Sequence, residues 1–151
     1  MAKTTATRYH DISTGHRVVG HESKCRHLHG HNYRVHFHCE AEELDSVGRV
    51  IDFSVIKEKL CMWIEEFWDH KFLAWNQDPL ISNLVMGPEG DDANGVYFDE
   101  SLVYVPFNPT AENLAKHLVK VIGPQQLAGT DVVLTKVVID ETAKCSVEYS
   151  L

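Results

Sequence analysis

Residues 29–40, HGHNYRVHFHCE, constrain the fold more than any other stretch of this chain. In an extended strand successive side chains point to opposite faces. His29, His31, Tyr33, Val35, Phe37 and Cys39 then share one side, while Gly30, Asn32, Arg34, His36, His38 and Glu40 share the other. The first set is mostly apolar and is predicted to face a core, with His29 and His31 side by side at its buried end. His36 and His38 look outward. The strand is predicted over residues 30–40, with a partner strand over 5–17 and a loop carrying Gly20, His21, Glu22, Ser23 and Lys24 between them.

Two helices follow from the periodicity of the next segments. After a turn at residues 45–48, Asp52 or Ser54 is placed to cap a helix reaching residue 68, with Phe53, Ile56, Leu60, Trp63, Ile64 and Phe67 as its apolar stripe. A second helix is predicted over 110–122, behind Pro109, with Ala111, Leu114, Leu118 and Val121 inward and Gly123-Pro124 as its stop. Between them MGPEGDDANG reads as a loop and VYFDESLVYV as a short hairpin. Strands are predicted again at 131–139 and 145–149. Strand, strand, helix, helix, strand, strand, without a βα rhythm, predicts an α+β layer: a four-stranded antiparallel sheet with two helices on one face. The 151 residues show no repeat or linker and are read as a single domain, 1–151.

The net charge of −8 argues against a nucleic-acid partner. Residues 1–38 nevertheless carry six basic side chains against two acidic ones, so this segment is +4 within an acidic chain. Such a patch suits a small polyanion or simply a solvated surface. No apolar run is long enough for a membrane span, and no charged-then-apolar leader opens the chain, so a cytoplasmic location is expected. Cys25, Cys39, Cys61 and Cys145 show no CxxC spacing, and a disulfide framework is not expected.

His-x-His on a strand presents two imidazoles to one face about 7 Å apart at the backbone. His16, at the end of the preceding strand, becomes a third if the two strands form a hairpin. Three histidines with one open position are the arrangement of a catalytic zinc, whereas closure by a fourth protein ligand indicates a structural one. His10, His21, His27, His36 and His38 are left as solvated or packing residues.

His16-Arg17, then Cys25-x-x-x-His29-Gly30-His31-Asn32-Tyr33, Asp69-His70-Lys71-x-Leu73, Pro109-Thr110-Ala111-Glu112-Asn113 and Glu141-Thr142 resemble, in order, the motifs of the 6-pyruvoyltetrahydropterin and 6-carboxytetrahydropterin synthase family. The resemblance spans nearly the whole chain. Three residues between Cys25 and His29 is similar to the carboxytetrahydropterin synthases of the queuosine and deazapurine pathway, the pyruvoyl enzymes having a longer interval.

The resemblance implies a tunnelling fold that assembles as a homohexamer, a dimer of trimers, with active sites between subunits. It implies 7,8-dihydroneopterin triphosphate as substrate and Zn2+ as cofactor, held by His16, His29 and His31. It makes Cys25 the catalytic base, and Lys24 and Arg26 beside it would favour the thiolate. Asp69 and His70 become a proton relay to Cys25 from an adjoining subunit. Consecutive residues do not face each other on a helix, so their pairing requires a non-helical turn. Glu141 would grip the amino and ring N–H donors of the pterin and share the relay. Thr110 would add a pterin contact, although capping the second helix explains it equally well. Arg17, Lys24, Arg26 and Lys71 are the candidates for the triphosphate.

The implied reaction releases triphosphate and acetaldehyde and leaves 6-carboxy-5,6,7,8-tetrahydropterin. Two alternatives remain: a pyruvoyl-type synthase that keeps every side-chain carbon, and a non-catalytic zinc-binding scaffold of the same fold. The segment 78–108 is longer than the corresponding connection in compact bacterial members, which bears on the pocket rim or the subunit contacts.

Overall fold

The computed structural model describes residues 2–85 and 98–151. The long hairpin expected at the N-terminus is its backbone: β1 (Thr5–His16) and β2 (His29–Ala41) pair antiparallel from Thr5↔Glu40 to His16↔His29. Tyr33, Val35, Phe37 and Cys39 are all buried on the face that alternation assigns them. A one-residue slip would turn these four outward, and each large apolar side chain contributes about 1.5–3 kcal/mol by burial, so the register is strongly specified.

The sheet has six strands rather than the four expected. Their order is β4-β3-β1-β2-β5-β6, with β5 (Val132–Asp140) and β6 (Ser146–Ser150) antiparallel on one side. On the other side lie two four-residue strands, β3 (Phe72–Trp75) beside β1 and β4 (Leu102–Val105) beside β3, both pairings parallel. The sheet is therefore mixed, and the α+β class holds. Gly15 makes the β1–β3 approach possible, because a Cβ there would stand 2.8 Å from the ring of Phe72. In place of the hairpin expected over 96–105, Phe98–Ser101 is a 3-10 turn leading into β4. The loop assigned to MGPEGDDANG, and residues 96 and 97, lie outside the described residues.

The first helix, α1, runs through Phe53–Ile56, a wide π turn at Lys57–Cys61, and Met62–Phe67. Asp52 caps it, accepting from the backbone N–H of Ser54. The wide turn adds a residue and rotates the buried face. Ile56, Leu60, Cys61, Ile64 and Trp68 consequently enter the core, while Phe53 and Phe67, expected inside, are 57% and 45% exposed. A short helix, α2 (Pro79–Val85), follows β3.

The third helix, α3, comprises Ala111–His117, a second π turn at Leu118–Ile122, and Gly123–Gln126. Gly123-Pro124 does not end it: Pro124 occupies the first turn of the final segment, where a missing N–H costs little. The same rotation of phase leaves Val121 38% exposed and buries Val119 and Ile122 instead. α1 and α3 share one hydrophobic core with the inner faces of β1, β2 and β5. All four cysteines are free. Among the described residues no helix is long and apolar enough to cross a membrane.

Candidate metal centre and its surroundings

Hairpin register builds the centre. His16 lies directly opposite His29, and Thr14 opposite His31, so three imidazoles converge on the inner face at the loop end of β1 and β2. Their ring centroids are 4.6, 4.9 and 5.2 Å apart. Glu141 joins them from the turn after β5, and one ligating atom from each of the four residues lies within 4.8 Å of the others.

The backbone fixes the tautomers. Nδ1 of His16 is 2.6 Å from the carbonyl oxygen of Pro109, and Nδ1 of His29 is 2.7 Å from that of His27. A carbonyl oxygen only accepts, so both Nδ1 atoms carry protons and both Nε2 atoms present lone pairs. The buried Nε2 atoms of His29 and His31 have no hydrogen-bond partner among the described residues. His31 Nε2 does lie 3.0 Å from Glu141 Oε1, but in a direction that makes no hydrogen bond.

Burial favours the neutral form of His16 and His31. It pushes His16 down to about 4 against the opposing pull of the Pro109 carbonyl, with His29 and His31 adding to the depression. His31 is lowered by burial as well, with Glu141 opposing. Three converging imidazoles beside a carboxylate form a donor set for a divalent cation. The hydrogen bonds from His16 and His29 to carbonyls are the outer supports that orient such ligands.

Tyr33, two residues beyond His31 on the same face, places its hydroxyl 3.2 Å from His16 Nε2. Burial, then Glu141, Cys25 and Glu112 in turn, raise its pKa, so it remains a phenol. Alternation put Tyr33 beside the histidines but did not single it out as a partner of the site.

Cys25 sits half-buried in a 3-10 turn, Lys24–Arg26, on the loop between β1 and β2. Thr110 caps α3, its Oγ1 accepting from the N–H of Asn113 at 3.1 Å. Asp69 and His70 pair in the manner that consecutive residues require: His70 has φ 59°, and its Nδ1 lies 2.6 Å from Asp69 Oδ2. Asp69 Oδ1 also accepts from the N–H of Ser13, and the His70 N–H donates to the Ser13 carbonyl, which locks the turn to β1.

Within one chain this dyad is not joined to Cys25. The His70 ring is 81% exposed and, with Ser13, Asn32, Arg34 and Lys144, borders a groove of about 800 Å³ on the outer face of the sheet, whereas the three imidazoles occupy the inner face.

Of the phosphate candidates, Lys24 and Arg26 are exposed, Lys71 donates to the Glu100 carbonyl, and Arg17 is committed to Asp78 and the Arg26 carbonyl.

Comparison with known proteins agrees with this construction. Residues 5–151 match the family described as 6-pyruvoyl tetrahydropterin synthase. The 6-carboxy-5,6,7,8-tetrahydropterin synthase of Rickettsia felis is 35% identical over 142 residues, covering 94% of this chain and 96% of that one. The enzyme of the same name from Aquifex aeolicus is 37% identical over 131 residues, 84% of this chain and 76% of that one. The crystal structure of an uncharacterized Wolinella succinogenes protein has a TM-score of 0.84 at 26% identity, covering 99% of both chains. The 6-pyruvoyl tetrahydropterin synthase of Caenorhabditis elegans has a TM-score of 0.65 at 22% identity, covering 100% of this chain and 97% of that one, a likeness of fold.

Proposed function

The chain belongs to the 6-pyruvoyl tetrahydropterin synthase family, and we propose that it is the carbon-cleaving member type, a zinc-dependent 6-carboxytetrahydropterin synthase. It converts 7,8-dihydroneopterin triphosphate and water to 6-carboxy-5,6,7,8-tetrahydropterin, acetaldehyde and triphosphate. The observation that carries this reading is the convergence of three imidazoles and one carboxylate at the loop end of the β1–β2 hairpin. The printed names of the relatives that match over nearly all of this chain support the carboxy product.

The residues fit a zinc ion: His16, His29 and His31 would hold it through nitrogen atoms, two of which are otherwise buried without partners among the described residues. Bound there, zinc supplies Lewis acidity to oxygen atoms of the substrate side chain. Cys25, on the adjoining turn, takes the proton from the side-chain carbon. Glu141 accepts from the amino and ring N–H groups of the pterin, a two-donor edge matched by a carboxylate. Thr110, at the start of α3, borders the same end of the core and adds a contact to the ring. Tyr33, held as a phenol, lies against His16 and excludes water from that side.

The Asp69–His70 dyad returns the proton from an adjoining copy of the chain. Its exposed position on the outer groove, away from Cys25 of its own chain, supports a site shared between subunits. So does the sheet itself, whose end strands β4 and β6 each have one neighbour among the described residues. A homohexamer in the cytoplasm, formed as a dimer of trimers, is the assembly this reading expects.

Incubation with 7,8-dihydroneopterin triphosphate followed by mass analysis of the pterin tests the proposal. The 6-carboxy product is expected; a product retaining all three side-chain carbons would make the protein a pyruvoyl-type synthase instead.

A further inference from the structure

Resting on the reading of Cys25 as the proton acceptor, we infer that Arg17, clamped by the buried carboxylate of Asp78, is a positioning residue that sets the Cys25 turn against the imidazole centre. The Asp78 side chain is 1% exposed and that of Arg17 is 16% exposed. Arg17 Nε donates to Asp78 Oδ2 at 2.6 Å and a terminal nitrogen donates to Oδ1 at 2.8 Å, a two-pronged pair. The other terminal nitrogen donates to the Arg26 carbonyl at 2.8 Å. The next residue, Val18, donates its N–H to the Cys25 carbonyl, also at 2.8 Å. Two successive carbonyls of the turn, those of Cys25 and Arg26, are thus tied to two successive residues beyond His16.

Asp78 is itself immobilised. Its Oδ1 accepts from the N–H of Leu80 and its carbonyl from Ser82, so the first turn of α2 serves as the anchor. The chain of contacts runs from α2 through Asp78 and Arg17 to the peptide groups around the thiol. Three of the five N–H donors of Arg17 are committed to Asp78 and the Arg26 carbonyl. A 1 Å displacement of a reacting group costs on the order of 100-fold in rate, so a small shift of this turn registers in kcat.

Arg17→Lys retains the charge beside Asp78 but cannot reach both Asp78 oxygens and the Arg26 carbonyl. In the zinc-loaded, full-length protein it should lower kcat by about 30- to 100-fold with KM within about threefold. The peptide-resolved rate of Cys25 alkylation by iodoacetamide should change by at least about threefold without substrate present.

Should Arg17→Lys fail to fold, the double variant Arg17→Met/Asp78→Leu replaces the pair with apolar groups of similar volume, and the same loss of kcat is expected. A folded variant with wild-type kcat would overturn the inference, and so would a rise in KM at unchanged kcat, which would place Arg17 on the substrate phosphates. Cys25→Ala separates this failure from that of the functional reading. An inactive Cys25→Ala beside a fully active Arg17→Lys overturns only the clamp, whereas an active Cys25→Ala overturns the role of Cys25 and the clamp with it.

Discussion

His31 Nε2 and Glu141 Oε1 lie 3.0 Å apart without forming a hydrogen bond. A cation or a donor standing between the two atoms would satisfy both. Glu141→Gln distinguishes the two. If the carboxylate serves the substrate, zinc content stays near one per chain while turnover falls about 100- to 10,000-fold, the scale of a lost acid–base group. Zinc lost together with turnover, measured by elemental analysis, would make Glu141 a fourth metal ligand.

Removing one imidazole should release the metal outright. In His29→Ala, zinc after dialysis is expected to fall below about 0.1 per chain, because two histidines do not complete a tetrahedral site. The melting temperature of the metal-free variant should remain within a few degrees of metal-free wild type, since His29 is only partly buried and the core packs beyond it. Retention of stoichiometric zinc would remove His29 from the centre.

The Arg17 fork holds the Asp78 carboxyl below its ordinary value of 3.8, assisted by the Leu80 N–H and opposed by burial. A carboxylate whose folded pKa is lowered contributes stability that is complete above the unfolded value and is lost as pH falls through the lower folded one. Between pH 5 and pH 2, wild type should therefore lose melting temperature more steeply than Arg17→Met/Asp78→Leu. Parallel curves would show that this pair contributes nothing to the acid limb.

Gly123 tests the packing of α3 on the sheet. A Cβ there would stand 2.9 Å from Cβ and Cδ2 of Leu134 and 3.1 Å from the Leu118 carbonyl. Gly→Ala inside a helix gains up to about 1 kcal/mol in propensity, but overpacking a core costs about 1–3 kcal/mol. Two of the three clashing atoms are close to fixed backbone, so Gly123→Ala should lower the urea midpoint, by about 1–2 kcal/mol in net stability. A raised midpoint would show that the helix can move away.

Local patterns carried the centre of the molecule. Alternation in β2 named the buried face, and the β1–β2 hairpin brought His16 opposite His29, so the imidazole cluster was legible before any coordinates. The family resemblance singled out Glu141, although its approach to His31 depends on the turn after β5. There Thr142 Oγ1 accepts from the N–H groups of Lys144 and Cys145, and the Glu141 N–H donates to the Cys145 carbonyl. Hidden were the features that depend on distant chain. The four-residue strand FLAW is too short to show a period, LVYV was read as half of a hairpin, and their parallel pairing is set by segments far apart in sequence. The π turns of α1 and α3 leave no mark in composition, which is why Phe67 and Val121 were expected inside. Asp78 looked like one more acidic residue until its burial against Arg17 appeared.

The most direct test is the yield of acetaldehyde per triphosphate released from 7,8-dihydroneopterin triphosphate, measured for wild type and for Cys25→Ala with zinc bound in both. The account predicts one acetaldehyde per triphosphate from wild type and neither product from the variant. Triphosphate without acetaldehyde from wild type, or undiminished acetaldehyde from Cys25→Ala, would contradict it.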